Sequence, residues 1–120
     1  MAARSRGERG AATAELALGI PLLVALTAGL VWMLAVGAAQ VRVVDASREA
    51  ARVVARGDDA AAAEAVARRI APASAKVRID LDAEQVVVTT SARVAGPGGL
   101  LGSLGGVTVS AEAVATVEES

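Results

Sequence analysis

From Leu16 to Ala39 the chain runs without a charged residue, and this apolar stretch dominates its pattern. As a helix rising about 1.5 Å per residue it is roughly 36 Å long, enough to cross a hydrocarbon layer of about 30 Å with some tilt. A core helix of a soluble domain is usually shorter and shows a polar face. The pattern therefore predicts one membrane-spanning helix over residues 11–39. From Gln40 onward the pattern changes, with no helix breaker at the junction. Arg42, Asp45, Glu49, Arg52 and Arg56 recur at alternating steps of three and four and share one helical face. Val43, Ala46, Ala50 and Val54 lie on another. One long helix is expected, apolar in its first half and an amphipathic stalk over residues 40–56.

Gly57 is the expected end of that helix, because glycine tolerates the left-handed conformation of a C-terminal cap. Asp58 is expected to cap a second helix over Asp59–Ala71, with acidic residues early, Arg68 and Arg69 late, and Pro72 closing it. The remainder alternates with period two. In KVRIDLD, Val77, Ile79 and Leu81 face one way, while Lys76, Arg78, Asp80 and Asp82 face the other. Gln85 to Val94 reads as a second strand after a tight turn around Asp82–Glu84. Val107 to Val117 reads as a third, with Val107, Val109, Ala111, Ala113 and Ala115 on one face. A glycine-rich connection, Gly96–Gly106, separates the last two. The fold class is α+β: a long transmembrane-plus-stalk helix, a short second helix and a small three-stranded antiparallel sheet, which together occupy residues 57–120 beyond the stalk.

Composition narrows the chemistry. Trp32 is the one aromatic residue, and the 120-residue chain has no cysteine. A domain built from valine and alanine has little apolar area to bury and no disulfide to compensate. It is expected to gain stability from neighbouring subunits. Net charge is −1, and no basic patch with interleaved aromatics exists, which argues against nucleic acid as a partner. Histidine, cysteine and tyrosine are absent, so the commonest general base, thiol nucleophiles and His/Cys metal sites are missing. Asp80 and Asp82 lack a carbonyl-rich loop of calcium-binding spacing and read as a solvated polar face. The Gly96–Gly106 loop lacks the Lys-Ser/Thr ending of a phosphate loop and leads into a strand. It reads as a hairpin connection or as an exposed tip offering Leu100, Leu101 and Leu104 to a partner. No catalytic, cofactor-binding or metal-binding residue, no cofactor, no small-molecule substrate and no enzymatic activity are expected.

The entrance to the apolar helix is more specific. Residues 1–10, MAARSRGERG, form a short basic leader ending in Gly10. Ala11 follows, and Glu15 stands at the start of the apolar run. If the chain is cut after Gly10, Ala11 gains a free α-amine and Glu15 becomes the fifth residue. The arrangement RGERG-AATAELALGIPLLV resembles type IV prepilin-like proteins, and within them the TadE/TadG-like minor pseudopilins of the tight-adherence (Flp) pilus system. Pro21 within the run and the stalk segment DASREAARVVARGD add to that resemblance, which covers about residues 7–58. One departure is Leu16, where family members often carry an aromatic.

The resemblance implies a pilin-like fold, cleavage between Gly10 and Ala11 by a prepilin peptidase, and pairing of Glu15 with the new amine of an adjoining subunit or of its own chain. It also implies pilin-like subunits and the assembly platform as partners, besides membrane lipid. The N-terminus would then be cytoplasmic, the C-terminal domain extracytoplasmic, and a surface pilus the destination. An ionised carboxylate in lipid is costly unless partnered; at the headgroup boundary the cost is small and Glu15 needs no partner. Pro21 is expected to kink or loosen the helix. Ala25 and Gly29, four apart, permit close helix packing. Trp32 marks the outer interface or fills space between helices. Two alternatives stay open: secretion after signal-peptidase cleavage, with Gly37 and Ala39 before Gln40 as the site, and an accessory module anchored without cleavage.

Overall fold

The computed structural model describes residues 2–97 and 106–117. Its elements run α1 (Ala2–Ala55), α2 (Ala60–Ile70), β1 (Lys76–Leu81), β2 (Gln85–Val94) and β3 (Val107–Thr116). The chain divides into two compact units, residues 1–33 and residues 34–120. The architecture is α+β, with a long apolar N-terminal helix, a short second helix and a three-stranded antiparallel sheet. Leu100, Leu101 and Leu104, and the core of the glycine-rich connection, lie outside the described residues.

The first unit is helix alone, and it continues through Pro21. Its apolar side chains are open: Leu16, Leu18, Leu22 and Leu23 are each more than 60% exposed. In water, so large an apolar surface on one helix would drive association. The helix is long and apolar enough to cross a membrane, and lipid removes that penalty. It fits a single-pass anchor.

The second unit builds its core on the later part of α1. Val43, Ala46, Ala50 and Val54, the face expected from their spacing, are all buried. Arg42, Asp45, Arg52 and Arg56 on the opposite face are exposed. The helix ends in a Schellman arrangement. Gly57 takes a positive φ of 101°, its amide donates to the Val54 carbonyl, and the Asp58 amide reaches back to the Val53 carbonyl. Asp58 is thus spent on closing α1. The cap of α2 is Asp59 instead, whose carboxylate accepts from the Ala62 amide at 2.8 Å. Ala71, extended at ψ 159° ahead of Pro72, stops α2.

The sheet is a meander in the order β1-β2-β3. Its register pairs Val77 with Thr90 and Ile79 with Val88, and on the other side Ala113 with Val88 and Ala111 with Thr90. Val77, Ile79 and Leu81 therefore share a face with Val86, Val88, Thr90 and Ala92. That face also carries Val109, Ala111, Ala113 and Ala115, as the alternation required. It forms one core cluster with the buried residues of α1 and α2. Asp82 falls in the β1–β2 turn rather than on the strand face. Its amide donates to the Gln85 carbonyl and its carboxylate caps the Ala83 amide. Asp80 pairs with Arg78 at 3.2 Å.

Two polar residues stand inside this core, Ser47 on α1 and Thr90 on β2, both 0% exposed. Ser47 Oγ lies 2.8 Å from Thr90 Oγ1 and 3.1 Å from the Ala111 carbonyl oxygen. Ser47 has one proton to give, so both bonds form together when it donates to the Ala111 carbonyl and accepts from the Thr90 hydroxyl. Replacing Ser47 by Ala leaves the Thr90 hydroxyl buried without its helix partner and is expected to destabilise the fold by about 1–3 kcal/mol. Adding Thr90→Val should recover part of that loss, as read from denaturant melts followed by circular dichroism. At Gly106, a Cβ would run into the Val94 carbonyl and the Ala95 backbone. Gly106→Ala should cost about 1–3 kcal/mol in the same assay, whereas Gly29→Ala, where a Cβ meets nothing within 4 Å, should be nearly silent.

Candidate functional site

The candidate site is the start of α1, where helical geometry decides which residues act together. Ala11 and Glu15 are four residues apart, so they sit on one face about 6 Å apart along the axis. Both are exposed. Leu18, Leu22, Ala25 and Gly29 continue the same alternation of four and three. At about 100° per residue, these six positions fall within roughly 40° of one line. Four of the residues singled out from sequence, Ala11, Glu15, Ala25 and Gly29, are thus gathered on a single face. Gly10 and Pro21 lie off it, toward one side.

Two features make the ends of this face distinct. Near Gly10 the helix has little holding it. Gly7 and Gly10 both weaken a helix interior, by roughly 1 kcal/mol each relative to alanine. No described side chain packs on them. Further along, Ala25, Gly29 and Trp32, with Leu26, Leu30 and Met33, line an open apolar groove of about 320 Å³. The Trp32 indole Nε1 is buried there without a hydrogen-bond partner among the described residues. Pro21 has no amide to give, so the Ala17 carbonyl one turn earlier lacks its usual donor. The face combines a charged, loosely held start with a small-residue groove.

Residues 10–52 match the family described as TadE-like protein. The chain carries a TadE-like segment. That segment starts at Gly10 and takes in Ala11, Glu15, Pro21, Ala25 and Gly29, the residues singled out from sequence. It also takes in Ser47, the buried anchor of α1 on the sheet. The match ends within the later part of α1; α2 and the sheet lie beyond it. A protein of Mycobacterium tuberculosis (strain ATCC 25618 / H37Rv) described as the apoptosis inhibitor Rv3655c is 55% identical over 53 residues. The alignment covers 44% of this chain and 42% of that protein, so it spans less than half of either. No solved structure matches.

The residues that spacing did not reveal are Ser47 and Thr90. Each interrupts an apolar pattern, Ser47 beside Val43–Ala46–Ala50 and Thr90 in the series Val86–Val88–Ala92. Two such interruptions on faces expected to meet were the available signal.

Proposed function

We propose that the chain is a structural minor pilin or pseudopilin of a Tad/Flp-type pilus, acting in pilus assembly or surface adhesion. It is inserted with its N-terminus cytoplasmic, cleaved between Gly10 and Ala11 by a prepilin peptidase, and held by lipid through the helix that follows. Its partners are other pilin-like subunits and the assembly platform. The observation that carries this reading is the placement of Gly10, Ala11 and Glu15 at the mouth of an uncharged helix, inside the TadE-like segment. Cleavage creates an ammonium at Ala11 one helical turn from the Glu15 carboxylate. In the apolar setting of the helix that follows, each charge is far cheaper with a partner than without one. The role is structural rather than enzymatic, as the lack of histidine, cysteine and tyrosine favours.

The exposed, glycine-flanked Gly10–Ala11 bond suits a peptidase, which must draw its substrate out of the helix.

The N-terminal residue of the protein recovered from cells decides among the readings. Ala11 is expected; Gln40 would mean secretion, and an intact leader an uncleaved anchor. Glu15→Ala is expected to leave insertion and processing intact while reducing pilus assembly by an order of magnitude or more, counted as surface pili. Unchanged piliation in that variant would remove the pairing role from Glu15.

A further inference from the structure

The second unit gathers cations at the end that adjoins the anchor in sequence. Ala35, Ala38 and Arg42 follow one another at helical steps of three and four and share a face of α1. With Pro72, Arg93 and Val94 they line an open cavity of about 400 Å³, within the range of ligand pockets. A neighbouring cavity of about 280 Å³ shares Arg93 and is lined by Ser74, Lys76, Ser91 and Thr108. The register accounts for that grouping. Lys76 pairs with Ser91 and Arg93 with Thr108, on the sheet face opposite the buried Thr90 and Ala92. The Ser74 hydroxyl donates to the Arg93 carbonyl at 3.2 Å and ties the start of β1 to the end of β2. Arg42, Lys76 and Arg93 are exposed. Among the described residues none of the three has an ion-pair partner, whereas Arg52, Arg68 and Arg78 each have one. No carboxylate among the described residues lines either cavity.

We infer that this end of the second unit is a binding site for an anionic phospholipid. Arg42, Lys76 and Arg93 hold the phosphate, and the first acyl carbons lie along Ala35 and Ala38. The inference rests on the reading of the apolar helix as a membrane anchor, not on the pilus role. About 20 helical residues cross the hydrocarbon. Counted from Leu16 they end at Ala35, so Ala38 and Arg42 fall at headgroup depth. Phosphate is the abundant anion there, and guanidinium groups pair with it through two parallel hydrogen bonds. The cavity walls choose between a lipid and a free anion. A soluble phosphate would leave Ala35, Ala38 and Val94 against water, whereas an acyl chain covers them. Charge chooses among lipids. A choline headgroup would bring a second cation beside Lys76 with no carboxylate to receive it. A glycerol headgroup brings only hydroxyls, which Ser74, Ser91 and Thr108 can bond.

The test uses the full-length protein in phosphatidylcholine vesicles. These carry a trace of phosphatidylglycerol, or of phosphatidylcholine, with the same photoreactive group at the start of an acyl chain. Residues 16–34 should take up both probes equally. Residues 93–97 should take up the phosphatidylglycerol probe at least tenfold more than the other. Each cation near an anionic surface is worth roughly fivefold in occupancy. Arg42→Gln combined with Arg93→Gln should therefore bring the labelling of residues 93–97 down to the phosphatidylcholine level, and Lys76→Gln should lower it about fivefold. Arg52→Gln combined with Arg56→Gln removes as much charge elsewhere on α1 and should leave it in place. The comparison of the two probes on the unaltered chain needs no variant to fold. Equal labelling of residues 93–97 by the two probes would overturn the site, as would its persistence without Arg42 and Arg93 or its equal loss without Arg52 and Arg56. Displacement by millimolar inorganic phosphate would also overturn it and assign the cations to a free anion. If residues 16–34 took up neither probe, the anchor would fall and the site with it. None of these readouts depends on pili, so the lipid site and the pilus role fail independently.

Discussion

The second unit depends on how closely a helix of small side chains can lie on a sheet of small side chains. Ala39, Val43, Ala46 and Ala50 share one core cluster with Val86, Val88 and Ala92, and among the described residues none that is buried there is larger than valine. Short side chains bring the two backbones near each other. That proximity lets a serine on the helix reach both a threonine hydroxyl and a strand carbonyl. With leucine or phenylalanine in the core, the layers would part and those polar atoms would be stranded. The chain thus compensates for low apolar volume with closeness and one satisfied polar link. It has little slack in return, since a tightly packed interior feels the gain or loss of single methyl groups.

The first unit obeys another rule. Its apolar side chains are left open by the fold, as fits a membrane anchor. What this half presents outward is a carboxylate at its mouth, a proline that frees one carbonyl, and a face whose residues shrink to alanine and glycine midway. The TadE-like match covers this half and the stalk but stops before α2. It follows the helix, not the sheet.

Much of this architecture was legible because helix and strand periods are local. The faces Val43–Val54, Val77–Ile79 and Val109–Ala115 followed from spacing alone and are the faces that pack, whereas Leu81 and Val107 at the strand ends are exposed. The failures are of two kinds. Asp58 and Asp59 are chemically identical neighbours, and only the closing bond of α1 reveals which one caps α2. Asp82 reads both as strand by alternation and as the start of the turn, and its amide bond to the Gln85 carbonyl settles it in the turn. Ser47 with Thr90, and Gly106 with Val94, are long-range meetings fixed by how the layers and strands are set against each other, which no local pattern states. At the helix entrance, spacing gathered Ala11, Glu15, Ala25 and Gly29 on one face, whereas their role rests on the family resemblance.

The lone indole carries a further consequence. The second unit contains no tryptophan, tyrosine or phenylalanine, while Trp32 belongs to the apolar helix. The protein's ultraviolet emission therefore arises from the anchor alone. Its wavelength reads the polarity around residue 32, blue-shifted in hydrocarbon and red-shifted if the helix is drawn into a wetter setting. The chain carries a native optical label on its apolar helix and none on its sheet, so a change in the surroundings of that helix can be followed without adding a probe.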